Sequence, residues 1–213
     1  MALSKVDFNS INVTPAASKA IKFNSSNNGF ETGDVGGSLV LIKTTTASSS
    51  GTISITSGID STYKEYIIKI INLHPQTDNQ DFSFNLSADG GSNYNVTKTT
   101  TFFNAYHNEG GSDNALGYVT GSDLAQGTGF QRLFGLGSDN DQNACGTLHL
   151  IDPSNTTFVK HFIFRGGDND PGDYAIDRIV AGYANTTSAV NAIQFKFASG
   201  NIDAGTFKLY GVT

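Results

Sequence analysis

Acidic side chains on glycine-rich segments are the first groups that could do chemistry in this chain. Asp139, Asp141 and Asn143 stand at alternating positions, as at the start of a calcium loop. The sixth position of that loop is Ala144 instead of Gly, and the twelfth is Leu150 instead of Glu, so the EF-hand pattern fails. Asp168, Asp170 and Asp173 gather on a second Gly-rich loop. Short acidic loops hold Ca²⁺ through carboxylate oxygens. Asp139, Asp141, Asp168, Asp170 and Asp173 are therefore the candidate calcium ligands, weighed against a plain solvated turn. No other cofactor is expected.

Catalytic signatures do not follow. The sequence holds no G-x-S-x-G elbow and no P-loop. His74, His107, His149 and His161 do not pair with each other or with cysteine at zinc spacing. A glycosidase needs two facing carboxylates, yet glutamate occurs only as Glu31, Glu65 and Glu109. The expectation is a protein without catalytic residues. Recognition chemistry is better represented. Tyrosines among Asn and Asp make sugar platforms, with a ring for the apolar face and amides or carboxylates for hydroxyls. Tyr106, Tyr118 and Tyr174 are the binding candidates, although tryptophan, the commonest stacking residue, is absent.

The elements that position these groups read as strands. Among 213 residues there are 24 glycines and only 4 prolines, which suits tight turns between unbroken strands. The 15 phenylalanines and 8 tyrosines supply a core despite a hydrophobic fraction of 38%. Apolar residues alternate with polar ones in Ile53–Ile55, Phe82–Leu86, Ala192–Phe197 and Gly205–Val212. The β-branched run Tyr63–Leu73 favours a central strand over a helix. Thr44–Ser50 reads as a loop, and Asn93–Phe103 as one long strand. Asn104–Gly129 reads as the loosest region, where a functional loop is expected. Phe158, Val159, Phe162, Ile163 and Phe164 suggest a strand covered on both faces. The closing segment Val190–Val212 reads as an antiparallel hairpin. The sum is an all-β, antiparallel β-sandwich of jelly-roll type, residues 38–213, preceded by an extended N-terminal arm, residues 1–37. Val6, Phe8, Ile11, Val13, Ile21 and Phe23 are the arm's apolar residues and its candidate assembly contacts.

Charge narrows the partners. The net charge is −6 and the basic residues are scattered, which argues against a nucleic-acid binder. Cys145 is the only cysteine, so no internal disulfide forms, and a buried apolar role is expected for it. No signal-peptide core opens the chain and no apolar run approaches the roughly 18 residues of a membrane span. No membrane insertion is expected. Synthesis in a cytoplasm and release within a larger assembly are.

Four stretches resemble small structural proteins encoded by marine bacteriophages. They are NVTPAASKAIKFN (Asn12–Asn24), ITSGIDSTYKEY (Ile55–Tyr66), SADGGSNYNVTKTTT (Ser87–Thr101) and NAIQFKFASGNIDAGTFKLYGV (Asn191–Val212). These are fold-and-turn sequences, so the resemblance assigns no site residue. It implies a virion component released by lysis, with other virion proteins as partners. The expected form is an exposed appendage or tail-fibre module, assembled as a trimer and touching a host-surface glycan. A capsid decoration protein and a free carbohydrate-binding module are the alternatives.

Overall fold

The computed structural model describes residues 13–14, 19–34 and 38–213. The chain forms two compact units, Met1–Ser38 and Leu39–Thr213. In the first, β1 (Lys19–Phe23) and β2 (Phe30–Asp34) pair antiparallel with Phe23 opposite Phe30. The two rings stack at 5.0 Å, which gives the polar stretch after Asn24 a reason to return as a strand. Ile21 and Phe23 are exposed and Val13 is half-buried, while Val6, Phe8 and Ile11 lie outside the described residues.

The second unit holds β3 (Leu39–Ser50), β4 (Ile53–Ile55), β5 (Glu65–Pro75), β6 (Gln80–Ser87), β7 (Lys98–Asn108), β8 (Asn114–Tyr118), β9 (Gln131–Leu136), β10 (Ala144–Ile151), β11 (Lys160–Asn169), β12 (Tyr174–Ala184), β13 (Ala192–Phe197) and β14 (Ile202–Val212). One sheet runs β3-β14-β5-β10-β11-β12-β7-β8 and the other β4-β13-β6-β9, with every pairing antiparallel. Eight of these strands form the two four-stranded sheets of a jelly roll, β3-β14-β5-β10 and β4-β13-β6-β9. The hairpins β7–β8 and β11–β12 are inserted between its strands and widen the first sheet by four.

Phenylalanines from both sheets fill the space between them. Phe82 on β6 has ring contacts at 5.0–6.3 Å with Phe134, Phe195, Phe197 and Phe207. Phe84 meets Phe162 edge-on at 5.1 Å. Gly146 and Gly166 face each other across β10 and β11, and the Phe134 ring of the other sheet rests on both. A Cβ at Gly166 would stand 2.6 Å from Phe134 Cζ, so only glycine lets the ring descend there. Burial of these rings is the main stabilising term of the sandwich.

Several expectations change. Thr44–Ser50 continues β3 instead of looping out, because its β-branched threonines pair with β14. The closing segment is not a hairpin. β13 and β14 belong to opposite sheets, and Phe195 meets Phe207 across the core at 5.3 Å. Alternation marks the buried face of each strand but not its neighbour. The strand expected over Asn93–Phe103 begins at Lys98 and runs to Asn108, then turns back through β8, so much of the expected loop is sheet. Cys145 is exposed, where it accepts a hydrogen bond from the Asn72 amide at 3.3 Å, beside a bulge between β5 and β10. Asn72 has φ 50° there. β11 is covered on one face only, with Ile163 49% exposed. Ile179, Phe103 and Tyr118 are cross-strand neighbours on that outer surface.

Two lysines are fully buried. Lys98 Nζ donates to Asn85 Oδ1 at 2.5 Å and to the Val96 carbonyl at 2.8 Å. Asn85 Nδ2 in turn donates to the Tyr94 and Thr128 carbonyls at 2.6 and 2.9 Å, which fixes the loops on either side. Burial pushes the Lys98 ammonium down to about 8. Lys160 Nζ holds the carbonyls of Phe158 and Thr186 at 3.1 and 2.9 Å.

Candidate functional site

The inserted hairpins bring the two acidic and aromatic features of the sequence together. On β7 and β12 the inward residues include Asn104, Tyr106, Tyr174, Ile176 and Arg178. Register sets Asn104 opposite Arg178 and Tyr106 opposite Ile176. Tyr174 lies diagonal to Tyr106, and their rings meet edge-on at 5.6 Å and 74°. With Asp113, Val119, Arg132 and Asp170, these side chains line a pocket of about 350 Å³. That volume lies within the usual range for small-molecule sites.

Turn chemistry builds the rim. Asn108 Oδ1 accepts the Ser112 and Asp113 amides, both at 2.9 Å, and closes the β7–β8 turn. Asp170 Oδ1 accepts the Gly172 and Tyr174 amides at 2.9 and 3.3 Å, and closes the β11–β12 turn. The Glu109 amide donates to the Asp173 carbonyl at 3.1 Å and ties the two turns together. The Tyr174 hydroxyl then donates to Asp113 Oδ2 at 3.0 Å, and that bond pushes the phenol's ionisation upward.

The floor is charged, and its Arg178–Asp168 pair is buried. Arg178 Nε and Nη2 donate to the two oxygens of Asp168 at 2.7 and 2.8 Å. Burial pushes the Asp168 carboxyl up, against the pull of Arg178. Arg132 on β9 reaches Asp81 at 2.8 Å, and its guanidinium is pushed down by burial. Each arginine thus has a resident carboxylate.

Of the sequence candidates, Tyr106, Tyr174 and Asp170 meet in this pocket. Asp168 lies below it, engaged with Arg178, and Asp173 sits in the turn with φ 59°. Asp139 and Asp141 lie on the separate β9–β10 connection, where the Asp139 carbonyl accepts the Gln142 amide at 2.9 Å. Among the described residues, no group of three or more His, Cys, Asp and Glu side chains is arranged to hold a metal ion. Tyr118 occupies the opposite face of the sheet, edge-on to Phe103 at 5.2 Å, with its hydroxyl donating to Asp123. Asn104, Asp113, Arg132 and Arg178 are the polar pocket residues that the sequence reading missed. The alternation Ile176, Arg178, Val180 already places Arg178 on an inward face.

No protein-family model matches the chain, and no curated protein matches it.

Proposed function

We propose that this chain is a non-enzymatic structural component of a bacteriophage particle, an exposed appendage or tail-fibre module that contacts the host surface. The pocket between the β7–β8 and β11–β12 turns carries this reading. It offers aromatic rings and fixed hydrogen-bonding groups at one end of a rigid frame. Its carboxylates already have partners: Asp168 has Arg178, Asp113 has Tyr174, and Asp170 has two amides. Groups so committed recognise a ligand by shape and hydrogen bonding and are poorly placed to shuttle protons. The resemblance of the chain's turn sequences to phage structural proteins supports the same reading.

Capsid decoration is the second reading, favoured by the outer surface of the widened sheet. Phe103, Ile163 and Ile179 are exposed there, and Leu116 is 77% exposed. Such a surface suits cementing against neighbouring subunits. Imaging of particles with a labelled antibody to the chain separates the two. Label at the tail in few copies supports the appendage. Hundreds of copies over the head overturn it in favour of decoration, and purified particles without the chain overturn both.

A further inference from the structure

We infer that the Tyr106–Tyr174 pocket binds an uncharged pyranose ring. This rests on the pocket being the host-contact site and adds the chemical class of its ligand. The inference follows from which polar atoms remain available after the fold has used its share.

Arg178 spends Nε and Nη2 on Asp168, so Nη1 is the guanidinium nitrogen without a partner among the described residues. The Asn104 side chain lines the pocket and makes no hydrogen bond to any described residue. These are donors, and the Asn104 amide oxygen is an acceptor. Asp113 gives Oδ2 to Tyr174, and Asp170 gives Oδ1 to two backbone amides. Asp113 Oδ1 and Asp170 Oδ2 have no partner among the described residues, and so stay available as acceptors. The remaining wall is apolar, from Val119, Ile176 and the tyrosine rings.

A guest that satisfies this set must both donate and accept at several points along one edge and present C–H groups along the other. A sugar ring does this, since each hydroxyl is donor and acceptor and each face of the ring carries axial C–H bonds. Charge selects among sugars. Both arginines of the lining are already paired, Arg132 with Asp81 and Arg178 with Asp168, while Asp113 and Asp170 of the lining face no cation of their own. An anionic sugar would meet these two carboxylates with no free cation to offset the repulsion, whereas an uncharged hexopyranoside or N-acetylhexosaminide would donate hydroxyls to them.

The test is saturation-transfer NMR and calorimetric titration of the full chain with methyl glycosides of hexoses and N-acetylhexosamines, alongside the matching uronates. Weak, saturable binding of at least one uncharged glycoside is expected. Asn104→Ala should weaken it about 3- to 10-fold, the usual worth of one hydrogen bond. Tyr174→Ala should abolish it, and Tyr118→Ala, on the opposite face, should leave it unchanged. If Tyr174→Ala loses its cooperative melt, the Asn104→Ala result decides, because that side chain holds no part of the fold together. Binding of uronates alone, no binding by any glycoside tested, or binding insensitive to Asn104→Ala overturns the inference. Failure here leaves the particle location standing, and a chain missing from particles leaves the glycoside result standing.

Discussion

Asp168 and Arg178 are diagonal neighbours on β11 and β12, joined by two parallel hydrogen bonds of 2.7 and 2.8 Å, with side chains 0% and 4% exposed. A buried pair of this kind adds little net stability while both partners remain, because desolvation offsets the attraction. Removing one partner is another matter. Arg178→Ala should destabilise the fold by about 3–5 kcal/mol, since Asp168 is left charged and unpaired. The double substitution of Asp168→Leu with Arg178→Met should recover most of that loss. Denaturant titration of the three variants reads both outcomes, and equal instability of the single and double variants would contradict the pairing.

Lys98 should make stability rise with alkalinity. Burial pushes its folded pKa down to about 8, whereas the unfolded lysine keeps its ordinary 10.5. Between those values the unfolded chain binds more protons, so raising the pH favours the folded state across that window. The difference in urea midpoint between wild type and Lys98→Met should therefore shift toward wild type from about pH 8 to 10.5. A difference that is flat with pH would refute it.

Phe82 is the ring with the most aromatic neighbours, drawn from both sheets. Phe82→Ala should cost about 3–5 kcal/mol. Leu116→Ser, at an exposed position on β8, should stay within about 0.5 kcal/mol. Chemical unfolding of the two variants makes the comparison, with midpoints moving at constant slope.

The N-terminal unit should be separable. Residues 38–213 expressed alone should keep a single cooperative melt, because the jelly roll closes on its own strands. The same truncated chain should no longer join particles. Incorporation at the wild-type level would show that the arm has no assembly role.

Much of the architecture was legible because a strand writes its buried face into every second residue. Ile193, Phe195 and Phe197 read as core and are core, as are Phe207 and Leu209. Partnership is not written locally. Nothing between Phe197 and Gly205 says that the chain crosses to the other sheet instead of turning back, so β13 and β14 were expected to pair. The same limit applies to the pocket. Tyr106 and Tyr174 were visible as ring residues near acids, but Tyr118 has the same local look and sits on the far face. Which tyrosines converge depends on β12 lying between β11 and β7, and that arrangement comes from hairpins inserted far apart in sequence.

The most direct measurement is the position of this chain in intact phage particles, by labelled-antibody imaging with quantitative copy number. The account predicts label at a tail appendage in few copies per particle. Purified particles that carry none of the chain would contradict it.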